Sequence, residues 1–151
     1  MASLHENKLN GILADDMGMG KTIQSISMLA FLHESLRISG PFLIVAPKST
    51  ISNWMKEFKT WAPFFKVVNL IPTKEHRTRI LKEEMQPGKF HVVVTTYEAL
   101  NICETALTVH HKFRYVIFDE AHKLKNADSI ISTISRKIKT DHRLLLTGTP
   151  L

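Results

Sequence analysis

Six short segments of this 151-residue chain are apolar at nearly every position: Gly11–Ala14, Phe42–Ala46, and residues 67–71, 91–95, 115–119 and 143–147. A strand with one face in water alternates apolar and polar side chains. A strand that is apolar throughout must be covered on both faces, which is the condition of a parallel sheet sandwiched between helices. The intervening segments supply the covers. Residues 22–36 are mostly apolar and read as a well-buried helix. Ile51, Trp54, Met55, Phe58 and Trp61 recur at i, i+3, i+4, i+7 and i+10, a helical stripe whose aromatic residues read as core, and Pro63 closes it. Thr73 is placed to cap a helix through about residue 84, with Pro87-Gly88 ending it; another helix starts near Tyr97, and Ile130, Ile131, Ile134 and Ile138 mark a last one. Six strand–helix alternations in so short a chain predict one doubly wound α/β domain, three layers deep, with a mostly parallel sheet. In such sheets ligands sit at the carboxyl ends of the strands.

Composition narrows the class. Hydrophobic residues make up 44% and charged residues 23%, with six glycines and six prolines, which excludes disordered, collagen-like and low-complexity chains. A single cysteine, Cys103, allows no intrachain disulfide, and a reducing compartment is the simpler expectation. No apolar run approaches the roughly 18 residues of a membrane span, and the first eight residues lack the apolar stretch of a secretory signal, so a soluble intracellular protein is expected. The net charge of +6 suits either a polyanionic partner or a plainly solvated basic surface. The adjacent pair His110-His111 has no companion ligands at metal spacing and reads as a polar loop, so no structural metal is expected.

Three polar motifs follow apolar strands. The first is Asp15, Asp16, Met17, Gly18, Met19, Gly20, Lys21 and Thr22, between the first strand and first helix. The two glycines let the backbone bend tightly and turn its N–H groups toward one centre, and the following helix adds its positive end. Lys21 offers a mobile charge for phosphate oxygens and Thr22 a hydroxyl ligand for magnesium. Asp15 stands where the general G-x-x-x-x-G-K-[ST] pattern has glycine, so the strict pattern fails while the strand–loop–helix setting is right. The second motif is Asp119-Glu120 at the end of the fifth strand. Asp119 is suited to hold magnesium, and Glu120 to orient and deprotonate a water that attacks a phosphoryl group. The third is Thr147-Gly148-Thr149 after the sixth strand, whose hydroxyls could sense a terminal phosphate.

Together these motifs resemble helicase superfamily two, and within it the Swi/Snf-type DNA translocases. Residues 15–22 look like that family's Asp-Glu-Met-Gly-Leu-Gly-Lys-Thr, with Asp16 and Met19 as mild departures. Residues 119–126 resemble its extended acidic (DEAH) box and residues 144–151 its third motif, while residues 46–50, 53–61, 84–88 and 95–98 are most similar to the imitation-switch (ISWI) branch.

The resemblance implies a RecA-like ATP-binding lobe of a DNA-dependent, chromatin-remodelling ATPase, a P-loop nucleus-resident hydrolase that moves on duplex DNA and slides nucleosomes. It implies ATP and Mg2+ on the first motif and Asp119, with Lys21, Asp119 and Glu120 catalytic. Lys48, Ser49, Thr50, Thr95 and Thr96 would touch a DNA phosphate, and His122, Thr147, Gly148 and Thr149 would couple nucleotide to DNA. The family also has an adenine-reading segment before the first strand and a second RecA-like lobe with arginine fingers. Residues 1–151 are therefore expected to be one lobe, truncated at both ends and catalytically deficient in isolation. The competing expectation is a non-catalytic DNA- or partner-binding fragment. An unrelated P-loop enzyme, such as a small-molecule kinase, would need a substrate lid, for which no segment stands out.

Overall fold

A computed structural model describes residues 11–14, 18–70 and 73–148. β1 (Gly11–Ala14) precedes α1 (Gly18–Glu34), and β2 (Phe42–Ala46) precedes a 3-10 turn (Lys48–Thr50) and α2 (Ile51–Trp61). β3 (Val67–Leu70) leads to α3 (Lys74–Arg79), which widens into a π turn (Ile80–Glu84); β4 (Val92–Thr96) leads to α4 (Tyr97–Ile102) and α5 (Glu104–Thr108). β5 (Phe113–Phe118) is followed by a 3-10 turn (Ala121–Leu124) and α6 (Ile130–Lys137), and β6 (Thr140–Thr147) completes the set. The six strands form one sheet in the order β1-β6-β5-β2-β4-β3, and every pairing among the described residues is parallel.

Alternate residues of each strand feed two separate cores, as the pleat requires. Phe42, Ile44, Val92, Val94, Tyr115, Ile117, Leu144 and Leu146 face α1 and α2, where Ile26, Leu29, Leu32, Trp54 and Phe58 meet them. Leu43, Val45, Val68, Leu70, Val93, Val116 and Phe118 face the other layer, covered by Ile80, Leu100, Leu107 and Ile134. Both faces are dry, which is why the strands lack alternation. Each fully buried aliphatic side chain contributes roughly 1.5–3 kcal/mol, so the two cores hold the three layers together.

Where the structure differs from the sequence reading, the cause is local. β4 starts at Val92 because His91 serves as a bracket at the amino edge of the sheet. Its carbonyl accepts from Phe42 N–H (2.8 Å) and its Nδ1 accepts from Lys66 N–H (2.9 Å). β5 and β6 begin earlier than their apolar runs. Phe113 pairs with Thr140, and this end is fastened by Asp141 to Lys112 (3.2 Å) and Arg114 (3.0 Å), charges that mask a strand in the sequence. The third apolar run extends to Ile71, which lies outside the described residues. Trp61 is not core: it is 56% exposed at the last helical position, and its indole N–H donates to Glu57 one turn back (2.7 Å). Ile130, at the first position of α6, is likewise exposed, whereas Ile138, just past its end, is buried. Cys103 is buried in the break between α4 and α5. His111 is half-buried, its ring nitrogens 2.9 Å and 3.0 Å from the Ala106 and Met85 carbonyls.

Candidate functional site

Because all six strands run the same way, their last residues line one edge of the sheet, and every described residue of the expected site lies along it. Lys21 and Thr22 occupy the first turns of α1, beyond β1. Lys48, Ser49 and Thr50 form the 3-10 turn beyond β2, Thr95 and Thr96 end β4, Asp119 and Glu120 follow β5, and Thr147 and Gly148 close β6. Asp15, Asp16, Met17 and Thr149 lie outside the described residues, and of Gly18 and Met19 only the place in α1 is described.

β1 and β5 are separated by one strand, β6. At the usual spacing of about 4.8 Å per strand, their axes lie roughly 9–10 Å apart. Across this gap Lys21 and Asp119 come within electrostatic reach. Lys21 is only 2% exposed and Asp119 is 8% exposed; burial raises the Asp119 carboxyl, and the Lys21 charge is among the influences that oppose the rise. Thr22, beside Lys21, is also buried. One buried lysine and one buried carboxylate thus lie at the same edge of the sheet, on either side of β6.

Asp119 is held at several atoms. Its main-chain N–H donates to the Val45 carbonyl (2.8 Å), extending the β5–β2 ladder by one rung. Its Oδ2 accepts from the Trp54 indole N–H (2.9 Å) and its Oδ1 from the Glu120 N–H (3.0 Å). Its carbonyl accepts from the Tyr97 hydroxyl (2.6 Å). Burial raises the Asp119 carboxyl above the ordinary range, with the Glu120 carboxylate pushing the same way; the Trp54 and Glu120 N–H bonds and the Lys21 charge oppose it. Burial also drives the Tyr97 phenol far upward, with Asp119 and Glu120 reinforcing it, so Tyr97 acts as a hydrogen-bond donor.

Glu120 adopts φ 54°, ψ 52°, the left-handed region that non-glycine residues seldom occupy. This lifts its side chain from the sheet edge to a half-exposed position, where Oε2 is 3.5 Å from His122 Nδ1. Non-glycine residues held in this way concentrate at working sites, where surrounding contacts over-determine the geometry. Two neighbouring carboxylates thus stand in different surroundings. One is buried and bonded; the other is open to incoming solvent.

The strand-end threonines differ in kind. Thr95 is fully buried and its hydroxyl donates to the Leu70 carbonyl (3.0 Å), so it braces β4 against β3; this corrects the expectation that its side chain reaches a phosphate. The Thr96 hydroxyl caps α4 by accepting from Ala99 N–H (3.2 Å). Thr147 is fully buried and Gly148 exposed. Lys48 and Ser49 are exposed, and the Thr50 hydroxyl donates to the Pro47 carbonyl (2.9 Å). Beside them a cavity of about 440 Å³ opens between Lys48, Ser52, Asn69, Thr73, Thr96 and Glu98.

Trp54 and Tyr97 are the residues that reading the sequence missed. The stripe on α2 placed Trp54 in the core, and a buried indole needs an acceptor. That the acceptor is a carboxylate 65 residues away is a tertiary fact. Among the described residues there is no cluster of three metal-ligating side chains, and no helix is long and apolar enough to cross a membrane.

The SNF2-related domain model matches residues 1–151. The chain is 46% identical over 151 residues to the human "SWI/SNF-related matrix-associated actin-dependent regulator of chromatin subfamily A member 1", covering 100% of this chain and 14% of that protein. It is 47% identical over 148 residues to the Arabidopsis thaliana "ISWI chromatin-remodeling complex ATPase CHR17", covering 98% of this chain and 14% of the relative. The chain therefore spans about one seventh of the length of these relatives. The solved "Sulfolobus solfataricus SWI2/SNF2 ATPase core in complex with dsDNA" superposes with a TM-score of 0.78 at 29% identity, over 93% of this chain and 28% of the other.

Proposed function

The chain belongs to the SNF2-related domain family, and on that premise we propose that it is the first RecA-like lobe of a DNA-dependent ATPase that remodels chromatin. In this reading ATP enters the strand-end cleft with its phosphates toward the first turn of α1. Backbone N–H groups around Gly18 and Gly20 cradle phosphate oxygens and Lys21 balances their charge. The donor set suits a magnesium ion. Thr22 brings a hydroxyl, and the two Asp119 carboxylate oxygens accept from Trp54 and from the Glu120 N–H respectively, which leaves lone pairs for a ligand. When bound, the ion would neutralise charge on the β- and γ-phosphates. Glu120 holds a water in line with the γ-phosphorus and takes its proton as the new P–O bond forms. The bond to the bridging oxygen breaks, and ADP and inorganic phosphate leave.

The single observation that carries this reading is that buried Lys21 and buried Asp119 follow two strands of the same edge that are separated by only one other. DNA is assigned to the exposed Lys48–Ser49–Thr50 turn and the neighbouring end of β4. There phosphate contacts position a duplex without reading its sequence. His122, Thr147, Gly148 and Thr149 would carry the nucleotide state toward that surface. A second lobe, nucleosomes as substrate and a nuclear setting follow from the same reading and from what the relatives are called.

The test is made in the full-length protein. Lys21→Ala should abolish ATP binding, measured with a fluorescent ATP analogue, and Glu120→Gln should keep binding while stopping turnover. A Lys21→Ala protein that hydrolyses ATP at the normal rate would overturn the assignment.

A further inference from the structure

Asp119 is gripped from both sides of the sheet. Trp54, in the core shared with α1 and α2, bonds its side chain; Tyr97, in the opposite core, bonds its main-chain carbonyl. Neither polar atom is needed for packing. Both residues are at most 1% exposed, and at the Tyr97 place a phenylalanine would pack the same ring without burying a donor that demands a partner. Each donor also lies close in sequence to a polar segment at the sheet edge. Trp54 is four residues past Thr50, the cap of α2; Tyr97 directly follows Thr96, the cap of α4. What they hold is a turn whose next residue, Glu120, sits at a φ of 54°. A turn in an unfavoured backbone conformation persists only where its surroundings over-determine it, and donors fixed to neighbouring elements are part of those surroundings.

We propose that Trp54 and Tyr97 are positioning residues that link the Asp119–Glu120 turn to the Lys48–Thr50 turn and the Thr95–Thr96 strand end, so that a duplex bound there changes nucleotide affinity through these two hydrogen bonds. The inference rests on the ATP and DNA reading above. It adds the residues through which the two ligands feel one another, one in each helical layer. Coupling of this kind is reciprocal and is measured at equilibrium, without turnover.

The experiment uses the full-length protein and measures duplex DNA affinity by fluorescence anisotropy, with and without a saturating non-hydrolysable ATP analogue and magnesium. The ratio of the two dissociation constants is the coupling factor, expected to be about fivefold or more in the unmodified protein. Trp54→Phe and Tyr97→Phe should each bring the ratio at least about halfway toward one on a logarithmic scale, while DNA affinity alone and analogue affinity alone stay within about twofold. An unchanged ratio in both variants overturns the proposal. So does a joint fall of the separate affinities with a lowered melting temperature, which is the signature of packing alone. If the unmodified protein binds neither analogue nor duplex, the ATP and DNA reading itself fails, an outcome distinct from loss of coupling.

Discussion

Glu120 carries its carboxylate on a left-handed backbone, and this separates its effect on the fold from its effect on the chemistry. The conformation costs roughly 1–2 kcal/mol for most side chains, while asparagine tolerates it through local hydrogen bonding. Glu120→Asn is therefore expected to leave melting unchanged or slightly raised, within about 1 kcal/mol, while turnover falls by about 10²–10⁴ through loss of the general base. Calorimetry beside an ATPase assay checks both. Lys21, Asp119 and Glu120 were legible in the sequence because glycines, a lysine and an acidic pair bordering apolar strands form a local pattern. The Trp54–Asp119 bond was not, because α2 reveals its apolar stripe but not which strand end the stripe comes to rest upon. Thr95 misled for the opposite reason. A hydroxyl at a strand end looks available until the neighbouring strand presents the Leu70 carbonyl.

Elements translate these local signals into packing, and α2 shows the limit of periodicity. Trp54 and Trp61 belong to one stripe, yet one is fully buried and the other 56% exposed. Trp54→Ala should cost about 3–5 kcal/mol, and Trp61→Ala should stay within about 0.5 kcal/mol, as urea denaturation would read. The strand starts hold a pH-sensitive bracket. Burial, then the nearby His33 and Lys66 charges, holds the His91 imidazole below its ordinary range. The unfolded chain therefore takes up that proton first as pH falls. The stability that neutral His91 contributes is complete above its ordinary value of 6.5, declines as pH drops through it, and levels off below the folded value. Melting temperature should fall between pH 7.5 and 5.5. His91→Asn, whose side-chain oxygen can still accept from Lys66 N–H, should flatten that slope. The starts of β5 and β6 were illegible because exposed charged residues, Lys112, Arg114 and Asp141, interrupt the apolar pattern there.

At the scale of the molecule, the three-layer architecture was legible, since strands dry on both faces need helices on both sides and six strand–helix units are too few for a closed eight-unit barrel. The strand order was not. Apolar runs record burial but not neighbours, and nothing in residues 143–147 says that they lie between the first strand and the fifth. On the proposed reading a second lobe would supply arginine fingers, which raise such rates by about 10³–10⁵. A purified polypeptide of residues 1–151 should accordingly bind ATP weakly and show negligible DNA-stimulated hydrolysis beside the full-length protein, as a phosphate-release assay would register.

The interposed strand β6 pairs with β1 along four rungs and with β5 along its other side. Main-chain rungs have nearly invariant length, so the strand works as a gauge block: the separation of the β1 and β5 ends is dictated by peptide geometry and not by whichever residues decorate the rim. Exchanging side chains on the tips can retune affinity or rate without altering that clearance. Only a slip of β6 in its register, which would turn every one of its side chains to the opposite layer, could change what the clearance admits.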